Sequence, residues 1–550
     1  YRQKAVNDEL LVAFGWGDGG GGPTREMLES ARVLANLPGF PKLELGRAED
    51  FFARLAERLE GEELPVWDGE LYLEYHRGTY TSQGRTKREH RKAEWLYHEA
   101  EWLGSLASIL SGQDACGDLR EGWELLLLNQ FHDILPGSSI RQVYEDSAQD
   151  FARIRELGEA ALAGALEALL GEINLERDSA VVLNGLALPR GGLVALPGEA
   201  LAGRTLAQQG EPLSCQTLES GEVLVAVPEV PALGYRAFAL AERPRRGEAS
   251  ALELSLDRIE TPFYQLELDA SGRVASLYDK RCGREVVMPG ERGNALQAFE
   301  DKPVAFDAWD IDIYYREKRT EVTELLEAAV EERGPLRGVL RLRWRFFGSS
   351  ITQRLTVYRD HPRLDFVTEV DWAQEQTLLK VAFPTTVRAT RATYDVAFGA
   401  VERPTHWNTS WDWARFEVPA HKWADLSEGN FGVALLNDCK YGYDVRGHVL
   451  RLTLVKSSVR PDASADRGLH RFTYSLLPHA GDWRGEVLAQ GYDLNLPLRA
   501  RLQRAQVGRL EPEHAFVTPM GLGGSALLDT LKRAEDGDGW IVRLVETKQF

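Results

Sequence analysis

The chain has 550 residues, 43% hydrophobic and 27% charged, the balance of a globular protein too long for a single core and expected to divide into about three to five domains. Its 65 Lys and Arg against 84 Asp and Glu leave a formal charge of −19, which argues against nonspecific binding to nucleic acid or to an anionic membrane. No apolar run approaches the ~18–20 residues of a transmembrane helix. The four cysteines (Cys116, Cys215, Cys282 and Cys439) lack C-x-x-C spacing, so the expectation is neither a thiolate zinc site nor a disulfide framework, but a reducing, cytoplasmic setting.

No secretory leader pattern opens the chain, and "YRQKAVNDELLVAFGWG" reads as the middle of something longer, so upstream sequence is expected. Residues 9–17, "ELLVAFGWG", predict a short buried strand. After the glycine run, Thr24 is placed to cap a helix whose Met27, Leu28, Ala31, Leu34 and Ala35 share one face. "FPKLEL" predicts a second strand and "AEDFFARLAERLEG" a second helix closed by Gly61, an alternation like the last units of an α/β barrel. From Lys87 to about Leu170 the pattern is helical in three stretches, which predicts a bundle.

Beyond Glu172 the texture turns to strands punctuated by Pro and Gly, with a boundary in the charged linker "AERPRRGEAS" that carries Pro244. "FYQLELDASGRVASLYD" reads as a hairpin around Asp269–Gly272. The expected fold is multidomain α+β. It comprises a remnant of a β/α barrel over 1–62, a three-helix bundle over 63–174, a small β domain over 175–245, a large β-sandwich over 246–495 and a terminal β segment over 496–550.

Four stretches stand out chemically. "GDGGGGPT", Gly17 to Thr24, either is a flexible βα turn or opens the way for a bulky ligand to reach Asp18 at the mouth of a barrel strand. It lacks the GK[ST] ending of a phosphate loop. "LYLEYHRGTYTSQ" mixes aromatic rings with hydrogen-bonding groups, a composition that suits sugar faces and hydroxyls, although Tyr75 and Tyr80 are also what an ordinary core contains. "NQFHDILPG" places His132 and Asp133 together where a leucine-rich helix stops at Pro136-Gly137. One histidine cannot define a zinc site, which takes about four ligands, so a helix-terminus role stands beside a ligand role. Between Pro404 and Val445, Trp407, Trp411, Trp413 and Trp423 crowd among His406, His421, Asp438 and Lys440, either as core or as a carbohydrate surface.

Taken in order, "GDGGGGPTREMLE", "GELYLEYHRGTYTS", "LLLNQFHDILPGSSI", "FEDKPVAFDAWDIDIYY" and "RPTHWNTSWDWARFEVPAHKWADLSE…GVALLNDCKYGYDVRG" resemble glycoside hydrolase family 38, the retaining α-mannosidases, in its branch of bacterial and cytosolic enzymes. The resemblance covers essentially the whole chain. It implies a β/α catalytic barrel, a three-helix bundle and a β-rich C-terminal region. It also implies one Zn²⁺ per complete active site, holding the vicinal O2 and O3 of a terminal mannose, with His132 as a metal ligand and Asp133 as the neighbouring carboxylate. Asp18 falls where the family's general acid or its neighbour lies, although the usual second carboxylate there is Gly19 in this chain. His76, Arg77, Tyr80, His421, Trp423, Asp438 and Lys440 are the candidate substrate-binding residues.

The family's other ligands come from an upstream H-x-D and from the aspartate nucleophile. None of the eleven histidines here is followed by x-Asp. The expectation is therefore the C-terminal portion of an α-mannosidase, inactive as this chain alone, whose partner is a mannose-containing oligosaccharide and which is free to form a homo-oligomer. The alternatives are a hydrolase of a small mannoside such as mannosylglycerate and a noncatalytic carbohydrate-binding protein.

Overall fold

The computed structural model describes residues 4–17, 20–243, 250–517 and 525–548, in two compact units, residues 1–72 and 73–550. In the first unit α1 (Arg25–Leu34) and α2 (Ala48–Arg58) form where the sequence pattern puts them. Thr24 caps α1, its hydroxyl accepting from the Met27 N–H at 3.2 Å. The strands expected near 9–17 and 40–45 are absent among the described residues, and Leu10, Val12, Trp16, Phe40 and Leu45 are exposed. A strand exists only through its pairing, and a barrel strand needs adjacent parallel strands that no described residue of this unit supplies.

The second unit begins with three helices, α3 (Gly84–Ser111), α4 (Arg120–Leu128) and α5 (Arg141–Gly171). They share an apolar core that includes Tyr97, Leu103, Leu126, Phe151, Ile154 and Leu166. The Tyr97 hydroxyl donates to the Ile154 carbonyl at 2.8 Å, tying α3 to α5. Helix α4 stops at Leu128, eight residues before the Pro136-Gly137 signal, and residues 129–137 form successive turns. Past Asn129 the ladder tightens from i−4 to i−3, Gln130 N–H donating to Leu127 O at 3.1 Å and Phe131 N–H to Leu128 O at 3.0 Å, while the Asn129 side-chain amide adds a second donor to Leu125 O at 2.9 Å.

The β region is antiparallel. Ser179–Asn184 pairs with Gly234–Glu242 on one side and with Arg499–Gln503 on the other, and Glu513–Ala515 pairs with Gly234–Glu242. Part of residues 496–517 completes the sheet begun at 179, and Leu528 and Leu531 of the hairpin Ala526–Arg533/Trp540–Glu546 enter the helical core. Further along, the expected hairpin joins Tyr264–Leu268 to Val274–Asp279, with the Asp269 carboxylate accepting from Ser271 and Arg273 N–H across the turn. A five-stranded sheet that includes this hairpin, a six-stranded and a nine-stranded sheet lie in the large β region among the described residues.

Charges lie inside that region. Lys380, fully buried, donates to the carboxylates of Glu417 and of Asp444, the latter at 2.8 Å. Arg316 and Arg451 also reach Asp444, and the Tyr315 hydroxyl donates to Glu417 at 2.8 Å. Burial alone would raise the Asp444 carboxyl, but Lys380, Arg451 and Arg316 hold it well below the usual carboxylate range. Removing the ammonium by Lys380→Ala leaves two buried carboxylates short of a countercharge. It should cost about 3–5 kcal/mol in denaturant unfolding, and a loss below about 1 kcal/mol would show that the carboxylates are compensated elsewhere.

Three imidazoles, those of His361, His421 and His470, are pushed by burial from the ordinary 6.5 down to about 4. The unfolded chain takes up these protons near 6.5 while the native state refuses them until about 4, so stability is full above that range and falls as pH drops through it. His479 runs the other way: burial opposes it, but the Asp425 carboxylate 2.7 Å away raises it, so its contribution changes only above the ordinary histidine value. The denaturant midpoint should therefore decline between pH 7 and pH 4.5. His361→Gln should flatten that decline, and an unchanged slope would remove His361 from the account.

Candidate functional site

Two short 3₁₀ turns, Glu74–His76 and Gly78–Tyr80, carry the first aromatic and polar motif. They rest on the loop that spells "FDAWDID". The Gly78 N–H donates to Trp309 O at 2.7 Å, and the Ser82 hydroxyl to Ala308 O at 2.6 Å. A Cβ at Gly78 would lie 2.8 Å from Ala308 O and 2.9 Å from Asp310 O, so the close approach of these two loops requires glycine there. Arg77 donates to Asp310 Oδ1 at 3.2 Å and to Ala414 O at 2.9 Å, and stacks 4.4 Å over the Phe416 ring. His76 is half-buried, with a buried Nδ1 that has no hydrogen-bond partner, and Tyr80 is half-buried beside it.

The loop ends at Gln83, whose φ of 56° turns the chain into α3. The Asp466 carboxylate accepts from the Gln83 and Gly84 N–H groups at 2.6 and 2.7 Å, satisfying donors that a helix start leaves open.

The His-Asp turn packs on this same loop. Gly137, at φ +91°, lies so close to Ser82 that a Cβ would come within 2.4 Å of its carbonyl oxygen. The Gln130 amide meets the His90 ring at 2.9 Å, and the Asn129 amide donates to Asp150 on α5 at 2.9 Å. Within the turn, Asp133 Oδ1 accepts from the Ser138 hydroxyl at 2.7 Å. The Asp133 carbonyl accepts from Ser138 N–H and from the Tyr144 hydroxyl, each at 3.1 Å. His132 is 77% exposed along its side chain. Its Nε2 lies 3.3 Å from Asp133 Oδ2, and its ring tilts against Phe131 at 4.3 Å. The structure thus brings His76, Tyr80, His132 and Asp133 onto adjoining loops.

Asp18 lies outside the described residues. Five other candidates are turned to the needs of the fold. Arg77 is buried and engaged as above. Trp423 is fully buried and stacks on Trp483 at 5.2 Å, in an apolar cluster with Ala434, Leu477 and Val487. Asp438 is paired with Lys92 of α3 at 3.1 Å and accepts from Thr473 N–H. Burial would raise it, but these partners hold it below the ordinary carboxylate range. Lys440 is buried with its amine 4.2 Å from the Phe472 ring, and burial lowers its pKa. His421 sits edge-on to Tyr441 at 5.7 Å and is neutral down to about pH 4. The stretch from Pro404 to Val445 is therefore divided: its later part seals α3 against the sheets, while Trp411 and Trp413 are exposed on the short helix Ser410–Ala414.

Asp466 escaped sequence reasoning: it acts on residues more than three hundred positions away, and no local pattern marks it.

As a metal site, the turn offers one corner. An exposed imidazole with a carboxylate at one ring nitrogen leaves the other nitrogen for coordination, the usual arrangement of a ligating histidine and its supporting acid. Among the described residues no group of three or more His, Cys, Asp or Glu is placed to hold a metal ion. No described helix is long and apolar enough to cross a membrane.

Comparison with known proteins follows the same order along the chain. The glycosyl hydrolases family 38 N-terminal domain matches residues 1–70, the alpha mannosidase middle domain 74–169, and the glycosyl hydrolases family 38 C-terminal domain 259–464. The chain is 38% identical over 514 residues to Alpha-mannosidase 2C1 of Homo sapiens, covering 91% of this chain and 47% of that protein. It is 33% identical over 603 residues to Alpha-mannosidase G of Dictyostelium discoideum, covering 98% and 53%. It thus spans about half the length of these curated relatives. The crystal structure of an alpha-mannosidase from Enterococcus faecalis V583 superposes with a TM-score of 0.77 at 18% identity, over 95% of this chain and 69% of that one, a likeness of fold. With three domains of one family matched in order over residues 1–70, 74–169 and 259–464, the chain belongs to glycosyl hydrolase family 38.

Proposed function

We propose that this chain serves in a retaining, zinc-dependent α-mannosidase that hydrolyses terminal α-D-mannosides of oligosaccharides. The observation that carries this is the His132–Asp133 turn, exposed and yet fixed by Ser138, Tyr144 and Gly137 against the loop of His76 and Tyr80. The relatives' names supply the reaction, and the four free cysteines suit a reducing, cytosolic setting.

In this reading His132 would hold the metal with one ring nitrogen while Asp133 steadies the ring through the other. Zinc, when bound, supplies Lewis acidity toward a vicinal diol. Asp133 keeps one oxygen on the Ser138 hydroxyl, which fixes the plane of its carboxylate and lets it accept a hydrogen bond from a sugar hydroxyl. The half-buried rings of His76 and Tyr80 would line the approach. Asp18, at the end of its glycine run, is proposed as the general acid or its neighbour. Retention requires two carboxylates about 5 Å apart, and the metal needs ligands beyond His132, so this chain's described residues would supply part of the centre.

His132→Ala in the zinc-loaded full-length enzyme separates a ligand from a helix-end histidine. A ligand predicts that zinc per folded molecule and kcat on a nitrophenyl α-mannoside both fall, because the diol is misaligned most where the ring distorts. A histidine that only serves the helix end predicts a stability loss of about 0.3–2 kcal/mol with both values unchanged well below the melting temperature.

A further inference from the structure

Lys87 lies in the first turn of α3 and is 5% exposed. Its ammonium donates to Leu135 O at 2.7 Å and to Ser82 O at 2.5 Å. Leu135 belongs to the turn of His132 and Asp133, and Ser82 closes the loop of His76 and Tyr80. One amine thus bridges the two loops that form the candidate site.

The position is electrostatically unfavourable. A cation in the first turn meets the positive end of the helix dipole. Burial is the larger penalty: it lowers the amine to about 7, with Lys440 adding repulsion and Asp466 the one compensating anion. Its acceptors are carbonyls, which carry no formal charge to balance the ammonium. Yet these carbonyls come from two separate loops, and a single donor long enough to reach both satisfies them together. Gly137 packs directly on Ser82 at the same junction, and Gln130 against His90 ties the turn to α3.

We propose, on the reading of His132 and Asp133 given above, that Lys87 is a positioning residue. It sets the His132–Asp133 turn at its working distance from the His76–Tyr80 loop, so that metal and sugar alignment depend on an amine that touches neither.

Lys87→Met and Lys87→Arg in the full-length enzyme that the proposed reading requires, followed by amide hydrogen exchange, test this. With Met, exchange over residues 131–138 should quicken about tenfold or more while α5 keeps its parental rates, and Arg should restore much of the protection. On a nitrophenyl α-mannoside well below the melting temperature, kcat should fall with Met and recover with Arg, a split that a general loss of stability would not produce. If the Met variant does not fold, Lys87→Gln, which keeps N–H donors without the charge, should give the same local loosening in smaller degree. Unchanged exchange in the turn, acceleration spread evenly over the helices, or a loosened turn with parental kcat would each overturn the proposal. His132→Ala measured alongside keeps the two claims apart. If it leaves zinc and rate intact the functional reading falls, whereas exchange over 131–138 reports directly on Lys87.

Discussion

The Asp466 carboxylate, taking the N–H groups of Gln83 and Gly84, fixes where α3 begins. A 28-residue helix presents a row of open donors and a positive potential at its start, and a buried carboxylate answers both at once. His470 holds the Asp466 backbone in turn, its Nε2 2.6 Å from the carbonyl. Together these contacts link the strand Gly468–Ala480 to the start of α3. Moving the start of α3 would displace Ser82, on which Gly137 is pressed, and with it the turn of His132 and Asp133.

From this anchor the site is built by close approach rather than by a continuous element. Loops from residues 73–83, 129–138 and 306–312 are each too short to hold a shape alone. They do so here because carbonyls and amides of one satisfy those of the next. Rigid surroundings suit a group that must point into solvent: His132 is exposed, but the peptide beneath it is held at Asp133, Ser138 and Tyr144.

Local chemistry explains what was legible in the sequence. Helices α1 to α5 and the hairpin at 264–279 follow from periodicity, caps and turn residues, all of which act within a few positions. The strands near 9–17 and 40–45 carried the right pattern and lack pairing, which no local pattern reveals. The end of α4 was misplaced because the ladder tightens to i−3 bonds after Asn129, before the proline. The same limit applies to the site. His132 and Asp133 are adjacent in sequence and could be read together. Trp423, Asp438 and Lys440 looked like a binding surface because burial and a partner such as Lys92, hundreds of residues away, are invisible in a string of letters. Polar residues crowded among tryptophans signal a sugar surface only when they face water, and most of these face one another.

Diffraction from crystals of the zinc-loaded protein, recorded across the zinc absorption edge, tests the central claim most directly. The account predicts an anomalous peak about 2.0–2.1 Å from a ring nitrogen of His132, with Asp133 still bonded to Ser138 beside it. A zinc peak beyond reach of His132, with that ring free in solvent, would contradict it.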